Sequence, residues 1–421
     1  MMSTPVLASV IFLFTYAIIV SERLHRTTAA LMGGILMILT GVLSQEGAFH
    51  AIDLNVIFLL TGMMIIAHYL GETGVFQWLA VQAVRRGRGH PLFILVILAC
   101  ITAVASALLD NVTVVVLTAP VTLYVASTLG VSPIPFLITQ VMASNIGGAA
   151  TLIGDPPNIL IASRANIDFI RFMGNMGPPS LVILVAYVGV MAVQFRNVMH
   201  VPPERREAVM RLETHGLITQ PELLVQSLVV LGFVLLGFLF HSKLHLEPAT
   251  IALAGATLLL IWTRRDPHQA LQHVEWSTLM FFVGLFIAVQ GVVEAGVIEW
   301  VAQQMLALTG GNQDITTLFI LWFSAVASGV VDNIPYTATM LPIVERLGEV
   351  MPVEPLWWAL ALGADMGGNL TLVGASANVV VASIAERSGH RLTFGQFLRY
   401  GTMTVLISLV ISSLWLWWRY L

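Results

Sequence analysis

The sequence predicts an all-α polytopic membrane protein: about ten transmembrane helices in two inverted five-helix repeats, each with a re-entrant helical hairpin and a broken helix. Three observations carry this. Of 421 residues, 57% are hydrophobic and 10% charged, where a soluble domain carries about 25% charged residues; the mean hydropathy is +0.88. The apolar stretches run unbroken for roughly 16–20 residues, the length of a membrane helix, not the alternating ten or so of a barrel strand. The chain also repeats itself. SALLDNVTVVVLTAP at 106–120 returns as SGVVDNIPYTATMLP at 328–342, and ASNIGGAATLIGDPPNILIAS at 143–163 returns as GADMGGNLTLVGASANVVVAS at 363–383.

The elements follow in order. The first repeat, 1–195, holds apolar spans at 5–20, 28–43 and 54–70, then 91–127 with Asp110-Asn111 at its centre. That stretch is too long for one crossing of a core about 30 Å thick and has a polar middle, so it reads as a hairpin. Span 133–163 is overlong and interrupted by glycines, which predicts two half-helices joined by unwound backbone beside a cavity. Span 177–195 closes the repeat. Residues 196–222 are polar and charged and form a linker, cytoplasmic in the orientation below. The second repeat, 223–421, runs in the same order: 223–240, 248–263, 276–292, a hairpin at 315–349, a broken helix at 355–384, and 400–418. No basic segment precedes Pro5–Val20, so that run is expected to remain as a helix rather than be cleaved.

Charge tests this topology. With the N-terminus outside, the cytoplasmic side holds Arg23, Arg26, Arg85, Arg86, Arg88, Arg196, Arg205, Arg206, Arg211, Arg264, Arg265, Arg387, Arg391 and Arg399. The outer side holds Arg164, Arg171, Lys243, Arg346 and Arg419. The excess inside is what the positive-inside rule requires. Five crossings per repeat place the second copy upside down, with both termini outside.

Paired, glycine-interrupted segments at matching places in two halves point to a transporter's binding site. Asp110 and Asp332 occupy one repeat position, each followed by Asn (Asn111, Asn333), in apolar surroundings. A carboxylate at membrane depth marks an ion or proton path; a helix cap is the plainer reading, since Asp readily accepts backbone N–H groups. No Lys or Arg lies near either in sequence. Gly148, Thr151 and Asn158, with Gly368, Asn369, Thr371 and Asn378, form a second constellation, for which small-residue helix packing is the plainer reading. Among mismatched positions, Asn145 faces Asp365, Asp155 faces Ala375, and Val115 and Leu117 face Thr337 and Thr339. Proton coupling is therefore expected of Asp110, Asp332, Asp365 and Asp155, with Asp365 ahead of Asp155, whose neighbouring prolines suggest a loop-shaping role. His68 is expected as a hydrogen-bonded helix contact and Cys100 as a small buried hydrophobe. Trp415, Trp417 and Trp418 are expected as an interfacial anchor. One cysteine excludes an intrachain disulfide or multi-thiol metal site. No phosphate-cradling glycine loop, catalytic constellation, metal cluster or cofactor motif is found, and nothing points to nucleic acid.

These two motif pairs resemble the signature regions of the ion transporter superfamily, and more narrowly its ArsB/P-protein permease branch, which includes bacterial arsenite and antimonite efflux permeases. The resemblance covers essentially the whole chain. It implies inverted repeats meeting at a midplane site, and a bacterial inner-membrane location. It also implies a soluble arsenite-stimulated ATPase as a partner on the cytoplasmic loops. The tips read Asp-Asn-Val and Asp-Asn-Ile where the superfamily's dicarboxylate carriers have Ser-Asn-Thr, which opposes a dicarboxylate substrate. A site rich in Asn, Thr and Asp without Arg or Lys suits a neutral polyhydroxyl acid. The expected function is export of arsenite or antimonite as the neutral hydroxide by proton antiport; sodium/proton antiport is the alternative.

Overall fold

The computed structural model describes residues 3–21, 23–196, 201–210 and 216–421. Of the expected linker, 197–200 and 211–215, Arg211 among them, lie outside the described residues. Among the described residues every regular element is helical. The first half runs α1 (Thr4–Ser21), α2 (Arg26–Leu39), α3 (Gln45–His50), α4 (Leu54–Glu72), α5 (Val75–Arg86), α6 (Pro91–Leu108), α7 (Asn111–Leu129), α8 (Ile134–Gly148), α9 (Pro156–Ala165) and α10 (Phe169–Phe195). After α11 (Pro203–Met210) the order recurs. It runs α12 (Pro221–Leu244), α13 (Pro248–Thr263), α14 (Pro267–Gln272), α15 (Trp276–Glu294), α16 (Val297–Thr309), α17 (Gln313–Val331), α18 (Asn333–Leu347), α19 (Glu354–Gly367), α20 (Ser376–Arg387) and α21 (Phe394–Tyr420).

Nine described helices are long and apolar enough to cross a membrane: α1, α4, α6, α7, α10, α12, α15, α17 and α21. The helices α2 and α13 are apolar but shorter, and α8–α9 and α19–α20 are the two interrupted spans. The amphipathic helices α5 and α16 were not expected. Each follows a sharp turn on a glycine, Gly74 (φ 79°) and Gly296 (φ 76°), whose left-handed backbone suits glycine best. Local sequence explains the helix starts: Asp53 accepts the Asn55 and Val56 amides, Asn312 accepts that of Ile315, and Thr393 with Gln396 forms a capping box.

The halves interlock through glycine crossings. The helix α2 lies on α15, and α4 on α13. A Cβ at Gly62 would sit 2.6 Å from the Ala252 carbonyl carbon, and one at Gly284 2.5 Å from that of Ala30. Lipid tails supply no hydrophobic drive between helices, so close backbone approach does the joining. Each hairpin's first arm packs on its broken helix in the same way, α6 on α8 and α17 on α19. A Cβ at Gly147 would lie 2.1 Å from the Ala103 oxygen, and one at Gly367 2.4 Å from the Ala325 oxygen. On α6 the buried stripe is Pro91, Ile94, Leu95, Leu98, Ala99, Thr102, Ala103 and Ser106. Cys100 falls off that stripe and is exposed, contrary to expectation, because only one face of α6 meets α8. Trp417 and Trp418 project outward near the end of α21 at 66% and 71% exposure.

Gly147→Ala and Gly367→Ala are expected to cost about 1–3 kcal/mol each by forcing the hairpin arm off its broken helix. Gly174→Ala, with nothing within 4 Å, is the neutral control. Thermal unfolding of the detergent-solubilised protein checks both.

Candidate functional site

Both interrupted helices leave backbone groups bare, and at membrane depth those must be satisfied within the protein. The Asn158 amide nitrogen donates to the Gly148 and Thr151 oxygens at 3.3 and 3.1 Å. Asn378 repeats this on Gly368 and Thr371 at 2.8 and 2.9 Å. The Thr151 hydroxyl donates to the Ala107 oxygen of α6 at 2.5 Å, and Thr371 to the Gly329 oxygen of α17 at 2.6 Å. Gly148 is pressed against Gly154, where a Cβ would meet its oxygen at 2.8 Å, and Gly368 lies close to Gly374. Six expected solute-binding residues thus tie each break to itself and to its hairpin. Side-chain hydrogen bonds make these ties, beyond the small-residue packing that the glycines alone would give.

That scaffold brings the two hairpin tips to one carboxylate. Asp155 is buried and makes no capping bond on its own helix. It accepts the Asn111 side-chain amide at 3.1 Å and the Asn333 amide at 3.2 Å on both oxygens. Asn111 also donates to Asn145 at 3.3 Å, and Asn145 donates to Asn369 and Asn378 at 3.0 Å each. Asp155 is therefore more than a loop-shaping residue: it joins the first hairpin tip to the second. Its role was hidden because both partners come from other helices.

Asp110 and Asp332 are caps and site residues together. Asp110 accepts the Thr113 amide at 2.9 Å, and Asp332 accepts that of Ile334 at 3.0 Å. Asp332 has φ 89°, a strained backbone for a non-glycine residue, and such strain gathers at functional sites. Its second oxygen lies 3.4 Å from the Arg26 guanidinium. Arg26 donates to the Ser376 hydroxyl at 2.5 Å and sits over the Phe281 ring at 5.5 Å. The expectation of a site without Arg or Lys is thus corrected. Arg26 opens α2 and turns inward, 306 residues from its partner in sequence.

Two adjoining cavities meet at the centre, and a third lies apart from it. A chamber of about 30 Å³ is bounded by Asp110, Asn111, Asp155, Glu275, Asn333 and Arg26, room for a water molecule or a small ion. A cavity of about 320 Å³ adjoins it, lined by His25, Arg26, Phe281, Asp332 and Ser376, so Arg26 stands between the two. A third, of about 480 Å³, is lined by Asn55, Leu152, Ile159, His241 and His245 and touches neither tip.

Glu275 was missed, although it stands at the repeat position of Asp53, and that match was a usable signal. Thr339 is engaged with the Tyr16 hydroxyl and the Pro335 oxygen. Thr337 is buried with its hydroxyl unpartnered, as are both Asp365 oxygens. His68 bonds Glu72 at 3.1 Å and stacks on His273, centroids 3.8 Å apart, at the end of α4 and away from the centre.

Comparison with known proteins agrees with this architecture. Residues 16–363 match the family model described as citrate transporter, CitMHS. An uncharacterized transporter of Mycobacterium tuberculosis is 46% identical over 423 residues, covering 99% of each chain. The human P protein is 34% identical over 496 residues, covering 97% of this chain and 59% of that protein, so the P-protein resemblance read from the motifs holds. The YdaH transporter of Alcanivorax borkumensis, described as having an unusual topology, shares the fold at a TM-score of 0.60 and 16% identity, over 88% of this chain and 86% of that one. The chain belongs to the citrate transporter family, CitMHS, and is a polytopic membrane transporter.

Proposed function

We propose that this transporter exports arsenite or antimonite, as the neutral hydroxide, in exchange for protons by alternating access. The observation that carries the reading is the charge balance at the centre. Asp110, Asp155 and Glu275 surround a chamber whose one cation among the described lining residues, Arg26, is paired with Asp332. Citrate, for which the family is named, would bring further negative charge to an acidic, low-dielectric site, and like charges there repel strongly. A small hydroxide needs only the donors and acceptors that Asn111, Asn333 and the carboxylates offer. One cysteine, on the outer face of α6, leaves hydrogen bonding as the means of holding it.

Protons would enter on Asp110, Asp155, Asp332 and Asp365. A buried carboxylate without a counter-charge is costly as an anion, so protonation and release provide a cycle coupled to solute movement. The glycine and amide residues Gly148, Gly368, Asn158, Asn369 and Asn378, with Thr151, Thr371 and Thr337, support the site from behind. Sodium/proton antiport is the second reading, favoured by the clustered oxygen acceptors around Asp155. In the proposed orientation both termini face outside the bacterial inner membrane, and the 320 Å³ cavity opens to the cytoplasm. The cytoplasmic loops are then the place for an arsenite-stimulated ATPase to dock.

In proteoliposomes under an imposed pH gradient, arsenite is expected to move against the proton flow. Sodium movement without arsenite supports the second reading, and citrate movement excludes both. Asp110→Asn, Asp155→Asn and Asp332→Asn are each expected to lower coupled flux by about tenfold or more while the protein still inserts; full activity in all three removes the proton-carrier role. Arg26→Gln removes the guanidinium that faces Asp332 and is expected to destabilise the protein by about 1–3 kcal/mol, less than a fully buried pair would because Arg26 is partly exposed. Arg26→Lys restores the charge but cannot hold Asp332 and Ser376 together, so partial recovery is expected in thermal unfolding and flux.

A further inference from the structure

A cavity of about 390 Å³ lies on the side of the first hairpin and shares no lining residue with the central chamber. Leu70 of α4, Val75 and Leu79 of α5, Ile101 and Val104 of α6 and Leu231 of α12 line it. None of its described lining residues carries a side-chain oxygen or nitrogen. Val104 and Leu228 on its wall are 62% and 48% exposed, so it opens sideways, where a membrane protein meets lipid. Helices α5 and α6 pack on each other and are joined by the turn at 87–90. The cavity takes in the start of α5 and the end of α6, so that turn stands at the opposite end of the pair. There Arg85, Arg86 and Arg88 are exposed. Residues 73–109 contain no acidic residue. The neighbouring α11 carries Glu204 and Glu207 beside Arg205 and Arg206, and so leaves the excess of positive charge at the turn intact.

A wholly apolar groove with arginines at the far end of its walls is complementary to a molecule with an apolar chain and an anionic head. Reach agrees with this. At a rise of 1.5 Å per residue, Cys100 on the cavity wall lies about 14 Å along α6 from Pro91. The tails of one leaflet fill about half of a hydrocarbon core about 30 Å thick, roughly 15 Å. A tail that ends in the cavity therefore leaves its headgroup level with the arginines. We propose that the first hairpin holds an anionic phospholipid, its headgroup on Arg86 and Arg88 with Arg85 adjoining, and one acyl tail in the groove between α5, α6 and α12. The positive-inside rule accounts for arginines at this end of α5, but not for a groove of matching reach along the same two helices. The site belongs to one half alone. At the repeat offset, Arg85, Arg86 and Arg88 become Ala307, Leu308 and Gly310, and Cys100 becomes Trp322. The tail fills the space between the hairpin's first arm and α12 without a fixed side chain. The site lies outside the transport reaction proposed above and is independent of which solute is carried.

The test uses the full-length protein, purified in detergent and stripped of lipid, then given phosphatidylglycerol with a diazirine in one tail. After illumination, mass spectrometry locates the peptides that carry lipid. Labelling is expected to concentrate on residues 75–79 and 100–109. Unlabelled phosphatidylglycerol is expected to compete about tenfold or more better than phosphatidylcholine with the same tails. Arg86→Gln with Arg88→Gln is expected to weaken that competition roughly fivefold for each arginine. Cys100→Trp, which brings in the residue of the second half, is expected to remove labelling from the groove. Equal competition by the two lipids shows ordinary bilayer contact and overturns the proposal, as does labelling spread evenly over the lipid-facing helices. A double arginine variant that answers as wild type does overturns the headgroup assignment. A groove left unlabelled in a protein whose mass in detergent is that of a dimer makes a second copy the occupant and also overturns it. Should either variant fail to fold, the wild-type competition decides. Solute flux enters none of these readouts, so failure of the lipid site and failure of the substrate reading are distinguishable.

Discussion

Two helices stop midway through the molecule, and the backbone they leave bare has to be satisfied where no water reaches. Asn158 and Asn378 each bridge two carbonyls of their own break, and Thr151 and Thr371 tie the breaks to the hairpin arms. Glycines at 147 and 367 let those arms close to backbone contact. Without these clamps the unwound segments would carry unpaired polar groups at a cost of several kcal/mol each. The clamps hold the hairpin tips at one depth, and from that follows the meeting of Asn111 and Asn333 on Asp155.

A site built this way is symmetric in its scaffold and asymmetric in its chemistry. The clamps recur almost bond for bond between the halves. The ionisable groups do not: Asp155 answers Ala375, Asp365 answers Asn145, and Arg26 answers Pro248. A rigid, duplicated frame tolerates such differences because the backbone bonds do not depend on them. Transport needs the opposite, groups that differ between the two faces so that one side can load a charge and the other release it. Arg26 lines both the central chamber and the cavity of about 320 Å³, and it has no charged counterpart at its repeat position.

Much of this was legible from residue order. Continuous apolar runs marked the spans, Asp-Asn pairs marked the tips, and glycine clusters marked the breaks, because each is a local response to the bilayer. The amphipathic α5 and α16 escaped notice, since a short helix lying beside the spans has no membrane-length apolar run. The prolines beside Asp155 say nothing about its partners on other helices.

The chain's own order was enough to establish an inverted pair of hairpin-bearing repeats, since crossing number, charge bias and repeat spacing are properties of a line. Only the folded molecule decided which residues meet. Arg26 reaches Asp332 across 306 positions, Glu275 joins Asp110, and Asn145 links the halves through Asn369 and Asn378. Such pairings depend on which helix faces cross, and backbone approach at Gly62, Gly284, Gly147 and Gly367 sets those crossings to within an ångström or so. Linear pattern cannot carry that precision, because a glycine written in a sequence does not name the backbone it will touch.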